Sequence, residues 1–170
     1  MSRSLIMNVA GFALFLLLQI LVFKRIVLFD TAFCFIYIAY LLVLPIETNP
    51  MILMLVGFFL GLLVDVFYNS AGLHASVAVL IGYLRNYWLA VITPQGGYDA
   101  GTGPTLAANG LQWFLVYSLP LLFLHHVVVF LIEAGGFHTF GYTSIKILSS
   151  TLFTLFLFFL YQLATGERRR

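Results

Sequence analysis

Charged residues are scarce in this sequence. Asp, Glu, Lys and Arg make up 8% of its 170 residues, whereas 62% are hydrophobic. A soluble domain usually has about a quarter of its residues charged, which keeps its surface hydrated. The shortage of charge excludes a soluble domain of this length and indicates a protein that is surrounded largely by hydrocarbon.

Motifs that carry chemistry are also missing. The single cysteine, Cys34, lies inside an apolar run and has no second cysteine with which to form an internal disulfide. The sequence contains no P-loop, dinucleotide-binding fingerprint, nucleophile elbow or paired-cysteine motif. The C-terminal arginines are too few for nucleic-acid binding and are better explained as an orientation signal. We therefore predict no cofactor, no metal and no nucleic-acid partner.

Long apolar runs dominate what is present. A transmembrane helix needs about 20 mostly apolar residues, and short alternating segments typical of a membrane barrel are not seen. The predicted fold class is all-α: one integral membrane domain over residues 1–170, with six transmembrane helices. The predicted spans are approximately 5–23, 27–46, 51–68, 73–92, 111–132 and 145–163.

Basic residues at the two ends of the chain indicate its orientation. Cytoplasmic loops of membrane proteins carry an excess of Lys and Arg. Arg3 precedes the first span, whereas Lys24 and Arg25 in the first loop oppose a cytoplasmic N-terminus. An even number of spans places both termini on the same side, and we expect that side to be the cytoplasm. A basic tail after the last span supports this orientation: Arg168, Arg169 and Arg170.

The end of the fourth span mixes aromatic and basic residues. The stretch "YLRNYW" contains Arg85 and Trp88 and precedes an irregular loop at residues 93–110, which is rich in Gly, Pro and Thr. Tryptophan and arginine are typical of the membrane–water interface. We predict that Arg85 and Trp88 are interface anchors.

Small residues and one carboxylate share a face of the third span. Gly57, Gly61 and Asp65 are spaced four apart, and Gly57 with Gly61 has the spacing that lets two helix backbones approach closely. The next span offers a matching face with Gly82. A carboxylate at membrane depth costs a few kcal/mol, but Asp65 is about one turn from a loop and could reach water or cap backbone groups. Its candidate partners are Asn69, Ser70 and His74.

The fifth span contains the densest cluster of ionisable residues, His125, His126 and Glu133. Such a set could bind a metal or relay protons. However, its spacing differs from a helical zinc site, and adjacent histidines point about 100° apart on a helix. We favour a polar cluster that contacts a partner or lines a groove.

The hairpin sequence "GLLVDVFYNSAGLHASVAVLIGYL" resembles the most recognisable stretch of the bacterial rod-shape-determining membrane protein family MreD. The family has a glycine, an aspartate, a short turn, a Gly-Leu-His-Ala segment and a helix ending in Tyr-Leu. The turn "YNSAG" departs from the usual Ser-Gly-Thr type. The matching positions here are Gly61, Asp65, Ser70, Gly72, Leu73, His74, Ala75, Tyr83 and Leu84.

The resemblance implies a non-enzymatic scaffold of the cell-elongation machinery in the bacterial inner membrane. Members bind a single-span MreC-like protein and, through it, the actin-like MreB and the wall-synthesising polymerase and transpeptidase. The implied fold is similar to the six-helix substrate-binding subunits of energy-coupling-factor transporters, and Asp65, Gly72 and His74 would shape the hairpin between the third and fourth helices.

Two other classes of function stay open. The shared six-helix architecture suggests a small-molecule binding or transport subunit, although fold analogy alone is a weak warrant. An intramembrane enzyme would use the histidine cluster, which lacks a plausible nucleophile beside a base, although Ser118 lies on the same span. A buried cavity at His126 and Glu133 would favour either alternative, whereas a packed core with an exposed apolar groove would favour the scaffold.

Overall fold

The computed structural model describes residues 3–98, 103–136 and 140–166, with side chains from residue 6 onward. This part of the chain is mostly helical, which confirms the predicted helical class in that general form. Four helical stretches are long and apolar enough to cross a membrane: Ile6–Arg25, Pro50–Tyr68, Leu106–Glu133 and Phe140–Gly166. The arginine tail, including the predicted anchors Arg168, Arg169 and Arg170, lies outside the described residues.

Six α-helices and one short β-hairpin occur in the described residues. The hairpin joins β1 (Val27–Leu28) to β2 (Ala32–Phe33) in antiparallel register. The helices are α1 (Arg3–Leu17), α2 (Tyr37–Val43), α3 (Pro50–Tyr68), α4 (Leu73–Val91), α5 (Leu106–Glu133) and α6 (Phe140–Gly166).

The first helix changes its winding before it ends. After α1 the chain forms a π-helical segment, Leu18–Val22, and then a 3₁₀ turn, Phe23–Arg25. A π segment adds an extra residue to the turn and changes the direction in which side chains point. Here it places Gln19, which is fully buried, inside the protein.

The second predicted span differs most from the structure. Residues 27–46 do not form a membrane-length helix, because α2 has seven residues and is preceded by the β-hairpin and an extended stretch. The part of the segment from Ala32 to Leu44 is nevertheless mostly buried, and the side chains of Tyr37, Ile38 and Ala39 have no exposed surface. Irregular backbone is tolerated at membrane depth where protein surrounds it and supplies the hydrogen bonds.

Side chains of the neighbouring helices supply those bonds to the extended stretch. The Phe33 amide donates to Ser150 Oγ (2.9 Å), and the Phe35 amide donates to Thr154 Oγ1 (3.2 Å). Gln19 Nε2 donates to the Cys34 carbonyl at 3.0 Å. Sequence reasoning missed this arrangement because apolar composition alone does not distinguish a buried extended segment from a helix.

The α3–α4 hairpin forms the most closely packed pair of helices. Asn49 caps the start of α3 by accepting a hydrogen bond from the Met51 amide, and Pro50 occupies the first helical position. Asn69 ends the helix in a left-handed conformation, with φ of 54°. Gly72, with φ of 80°, then turns the chain into α4.

The last two helices pack against each other and against the buried segment. Gly110 has φ of 81° and ψ of 168°, so it breaks α5 after its first turn, and a continuous helix follows from Leu111.

The outward faces of α3 and α6 are apolar and exposed, as expected for helices in contact with lipid. Examples are Leu55, Phe59, Val66, Leu152 and Phe156.

Candidate functional site in the buried polar core

Asp65 lies at the junction of α3 and α4 and is 3% exposed. Its Oδ1 accepts hydrogen bonds from the His74 amide (2.9 Å) and from the Ser70 hydroxyl (2.5 Å). Its Oδ2 accepts a bond from the Ala75 amide at 2.9 Å. The first amides of a helix have no partner within the helix and carry its partial positive charge. The Asp65 carboxylate therefore satisfies the start of α4 from within α3.

The glycines of α3 bring its backbone against α4. A Cβ atom added to Gly61 would lie 2.5 Å from Ala75 Cα, and one added to Gly57 would lie 2.8 Å from the Ala78 carbonyl oxygen. On α4, a Cβ atom at Gly82 would meet the Leu53 carbonyl oxygen at 3.0 Å. The contacts run in opposite directions along the two helices, as an antiparallel pair requires.

Arg85 is fully buried, which corrects the prediction that it anchors the protein at the membrane interface. Its Nε donates to the Tyr117 hydroxyl at 2.8 Å, and its Nη2 donates to the carbonyls of Leu44 and Pro45. These carbonyls lie at the C-terminal end of α2, which has partial negative charge. Arg85 continues the inward face of Ala78 and Gly82, and this helical spacing is the signal that sequence reasoning overlooked.

Trp88 and Tyr117 connect α4 to the neighbouring elements. Trp88 is partly buried, and its Nε1 donates to the Val116 carbonyl of α5 at 3.1 Å. The Tyr117 hydroxyl accepts the bond from Arg85 and donates to the Leu42 carbonyl of α2 at 3.0 Å. Arg85 and Tyr117 thus form a clamp between α2, α4 and α5.

A second polar group lies deep among the helices. The Tyr37 hydroxyl is 3.2 Å from His74 Nδ1 and 2.8 Å from His125 Nε2. One hydroxyl can donate to one imidazole nitrogen while accepting from the other, so a single bridge joins α2, α4 and α5. His125 Nδ1 is buried and has no hydrogen-bond partner among the described residues. We call Tyr37, His74 and His125 the histidine–tyrosine bridge.

The predicted cluster of His125, His126 and Glu133 is divided between three environments. His126 is buried, with its Nδ1 at 2.7 Å from the Leu122 carbonyl and its Nε2 at 3.2 Å from Thr154 Oγ1 of α6. The Glu133 side chain is 53% exposed and pairs with Lys146 of α6 at 3.1 Å. The three residues therefore do not form one groove site, because a helix sends neighbouring positions to different faces.

Lys146 was not recognised from the sequence as the partner of Glu133. Its ammonium group lies 4.6 Å from the ring centroid of Phe130 and 4.9 Å from that of Phe33. An ammonium group over aromatic faces is attracted by the ring electrons. Lys146 therefore holds β2 to the ends of α5 and α6.

Gln19 is another buried polar residue that sequence reasoning missed. Besides its bond to Cys34, its Nε2 donates to the Tyr68 hydroxyl (2.6 Å), and its Oε1 accepts the Tyr37 amide (3.2 Å). The sequence signal for its role was a single glutamine in a long apolar run. A side-chain amide at membrane depth needs hydrogen-bond partners within the protein.

Many polar side chains of this core are already hydrogen-bonded to other groups of the protein, which limits the chemistry that they can perform. Across the described ranges, no group of three or more His, Cys, Asp or Glu residues is placed to hold a metal ion. The Ser118 hydroxyl donates to the Phe114 carbonyl of its own helix at 2.6 Å. Several of these polar side chains bond to the backbone of another segment and so hold the fold together: Gln19, Asp65, Arg85, Trp88 and Tyr117.

Comparison of the chain with protein-family models, curated proteins and solved structures found no match.

Proposed function

We propose that this protein is a non-enzymatic scaffold of the MreD type in the bacterial inner membrane. In this role it would bind an MreC-like membrane protein and, through it, the MreB-linked polymerase and transpeptidase that build the lateral cell wall. The resemblance of residues 61–84 to MreD supplies the identity of these partners.

The observation that carries the proposal is how the two buried charged residues, Asp65 and Arg85, are hydrogen-bonded. Both carboxylate oxygens of Asp65 accept bonds from the start of α4. The guanidinium of Arg85 donates to the end of α2 and to Tyr117. Charged groups inside a membrane often mark a transport or catalytic site. Here they are occupied with the protein's own groups, which supports a rigid scaffold over a binding or catalytic subunit.

We propose that the chain crosses the membrane six times, with both termini in the cytoplasm, as in the energy-coupling-factor substrate-binding subunits. Two crossings come in addition to the four long apolar helices. The 19 residues of α4 extend about 28 Å, close to the thickness of the hydrocarbon core. The extended residues 32–35 and the helix α2 together reach about 24 Å, somewhat less than the thickness of the hydrocarbon core. Arg3 and the arginine tail support the orientation.

The test is isolation of the tagged protein from its native membrane in mild detergent, with mass spectrometry of the proteins that accompany it. An unrelated multi-span protein carrying the same tag serves as the control. Co-isolation of an MreC-like protein with wall-synthesis enzymes, above that control, would support the scaffold. Co-isolation with an ATPase module instead would contradict it.

The histidine–tyrosine bridge favours a second candidate, a small-molecule binding or transport subunit. The unpartnered Nδ1 of buried His125 could accept or donate a bond to a polar ligand. Native mass spectrometry of the purified protein distinguishes this candidate. A co-purifying small molecule that is lost in the Tyr37→Phe variant and kept in Tyr40→Phe would support it.

A further inference from the structure

The β-hairpin ends in a strained turn that exposes an aromatic side chain. The Thr31 amide donates to the Leu28 carbonyl at 3.1 Å, and the two residues between them, Phe29 and Asp30, have φ of 53° and 56°. Consecutive left-handed residues in such turns are usually glycine or asparagine, and a bulky residue there is an outlier. The Phe29 side chain is 93% exposed, so contacts within the protein do not compensate for the strain.

The turn lies level with the ends of the long apolar helices. The Tyr142 hydroxyl, in the first turn of α6, donates to the Asp30 carbonyl at 3.1 Å. At the base of the hairpin, Lys24 Nζ donates to the Phe67 carbonyl in the last turn of α3 at 2.5 Å. Ends of transmembrane helices lie close to the boundary between the lipid headgroups and the acyl chains. The hairpin is held at this height by both helices.

The exposed surface of the hairpin combines an apolar part with charged residues, which include Asp30 in the turn itself. Val27 and Leu28 are 36% and 40% exposed and continue the apolar surface of Phe29. Arg25, immediately before the hairpin, is also exposed. An apolar tip beside a cation is suited to the interface, where the tip contacts acyl chains and the cation pairs with lipid phosphate.

We propose that the tip formed by Val27, Leu28 and Phe29 inserts into the headgroup–acyl boundary of the bilayer, with Arg25 bound to lipid phosphate. The insertion compensates for the strain of the turn, since it removes the Phe29 ring from water. The hairpin is then a membrane anchor that is separate from the spanning helices. This inference requires a membrane protein but does not depend on the scaffold function.

The test places a fluorescent probe at the tip. Trp88 and Trp113 are replaced by Phe, and Phe29→Trp supplies the single tryptophan of the full chain. The protein is reconstituted into phosphatidylglycerol–phosphatidylcholine vesicles with bromine on the acyl chains, and circular dichroism checks its helicity. Glu47→Trp, at an exposed charged position in the loop between α2 and α3, is the matched control.

We expect brominated lipid to reduce the fluorescence of Phe29→Trp several times more than that of Glu47→Trp. Adding Arg25→Gln should reduce this quenching when phosphatidylglycerol is present. Quenching of Phe29→Trp by aqueous acrylamide and not by brominated lipid would show a tip in water and overturn the proposal. Protection from both quenchers would show a tip covered by protein, in the same chain or in a second copy, and would overturn it equally. Unchanged quenching with Arg25→Gln would overturn the phosphate contact.

Discussion

The carboxylate of Asp65 and the backbone amide of His74 are joined by a 2.9 Å hydrogen bond that closes the turn between α3 and α4. The same carboxylate bonds to the next amide and to a serine hydroxyl of the turn. One side chain therefore fixes the position at which α4 begins.

Replacement of Asp65 should destabilise the protein strongly. The variant Asp65→Ala leaves the first amides of α4 buried without a partner. We expect its free energy of unfolding to fall by about 2 kcal/mol or more. Asp65→Asn keeps one acceptor oxygen and should lose less. Thermal unfolding in lipid nanodiscs, followed by circular dichroism, measures the difference. Equal unfolding temperatures for the wild type and Asp65→Ala would contradict the capping role.

The approach of α3 to α4 predicts a position-specific effect of adding one methyl group. Gly61→Ala places a Cβ atom 2.5 Å from the backbone of Ala75, so the helices must separate. Overpacking of this kind typically costs about 1–3 kcal/mol. Gly141→Ala is the control, because a Cβ atom there meets nothing within 4 Å. If the two variants unfold at the same temperature, the helices are not in close contact at Gly61.

The role of Arg85 can be tested with lysine. An interface anchor would tolerate Arg85→Lys, because both side chains extend towards water. A buried clamp requires the planar group that donates at once to Tyr117 and to the carbonyls of Leu44 and Pro45. We expect Arg85→Lys to lower stability by about 1–3 kcal/mol. Unchanged thermal unfolding of this variant would restore the interface interpretation.

Removing the Tyr37 hydroxyl should affect stability through two imidazole rings. Tyr37→Phe leaves nitrogens of His74 and His125 without their shared partner in a buried place, at a cost of about 1–3 kcal/mol. Tyr40→Phe removes a hydroxyl that binds the Asn8 carbonyl in a less buried position, so it should cost less. Chemical unfolding of both variants compares these costs. A larger effect at Tyr40 would contradict the importance of the bridge.

The features that could be predicted from the sequence are those that depend on residues close together in the chain. The long apolar runs indicate helices by composition alone. The bonds of Asp65 reach residues five to ten positions away, across one turn, so they follow from the helical repeat and the position of the loop. The glycine contacts depend on the same local geometry.

The parts that sequence reasoning missed depend on residues distant in the chain. Arg85 meets carbonyls about 40 positions earlier, and Tyr37 meets His125 88 positions later. The helical repeat of a single sequence shows which face of a helix such a residue lies on. It does not show which other helix or segment packs against that face. The extended stretch before α2 was missed for the same reason, since the partners of its Phe33 and Phe35 amides lie on α6.

The hydrogen bonds of that stretch also constrain how the protein is made. Phe33 and Phe35 leave the ribosome early, whereas Ser150 and Thr154, which satisfy their amides, are synthesised about 120 residues later. Until α6 enters the membrane, exposing those amides to hydrocarbon would be costly. This segment should therefore reach its final place only after α6 has been made, so that a chain truncated before α6 does not assemble its core.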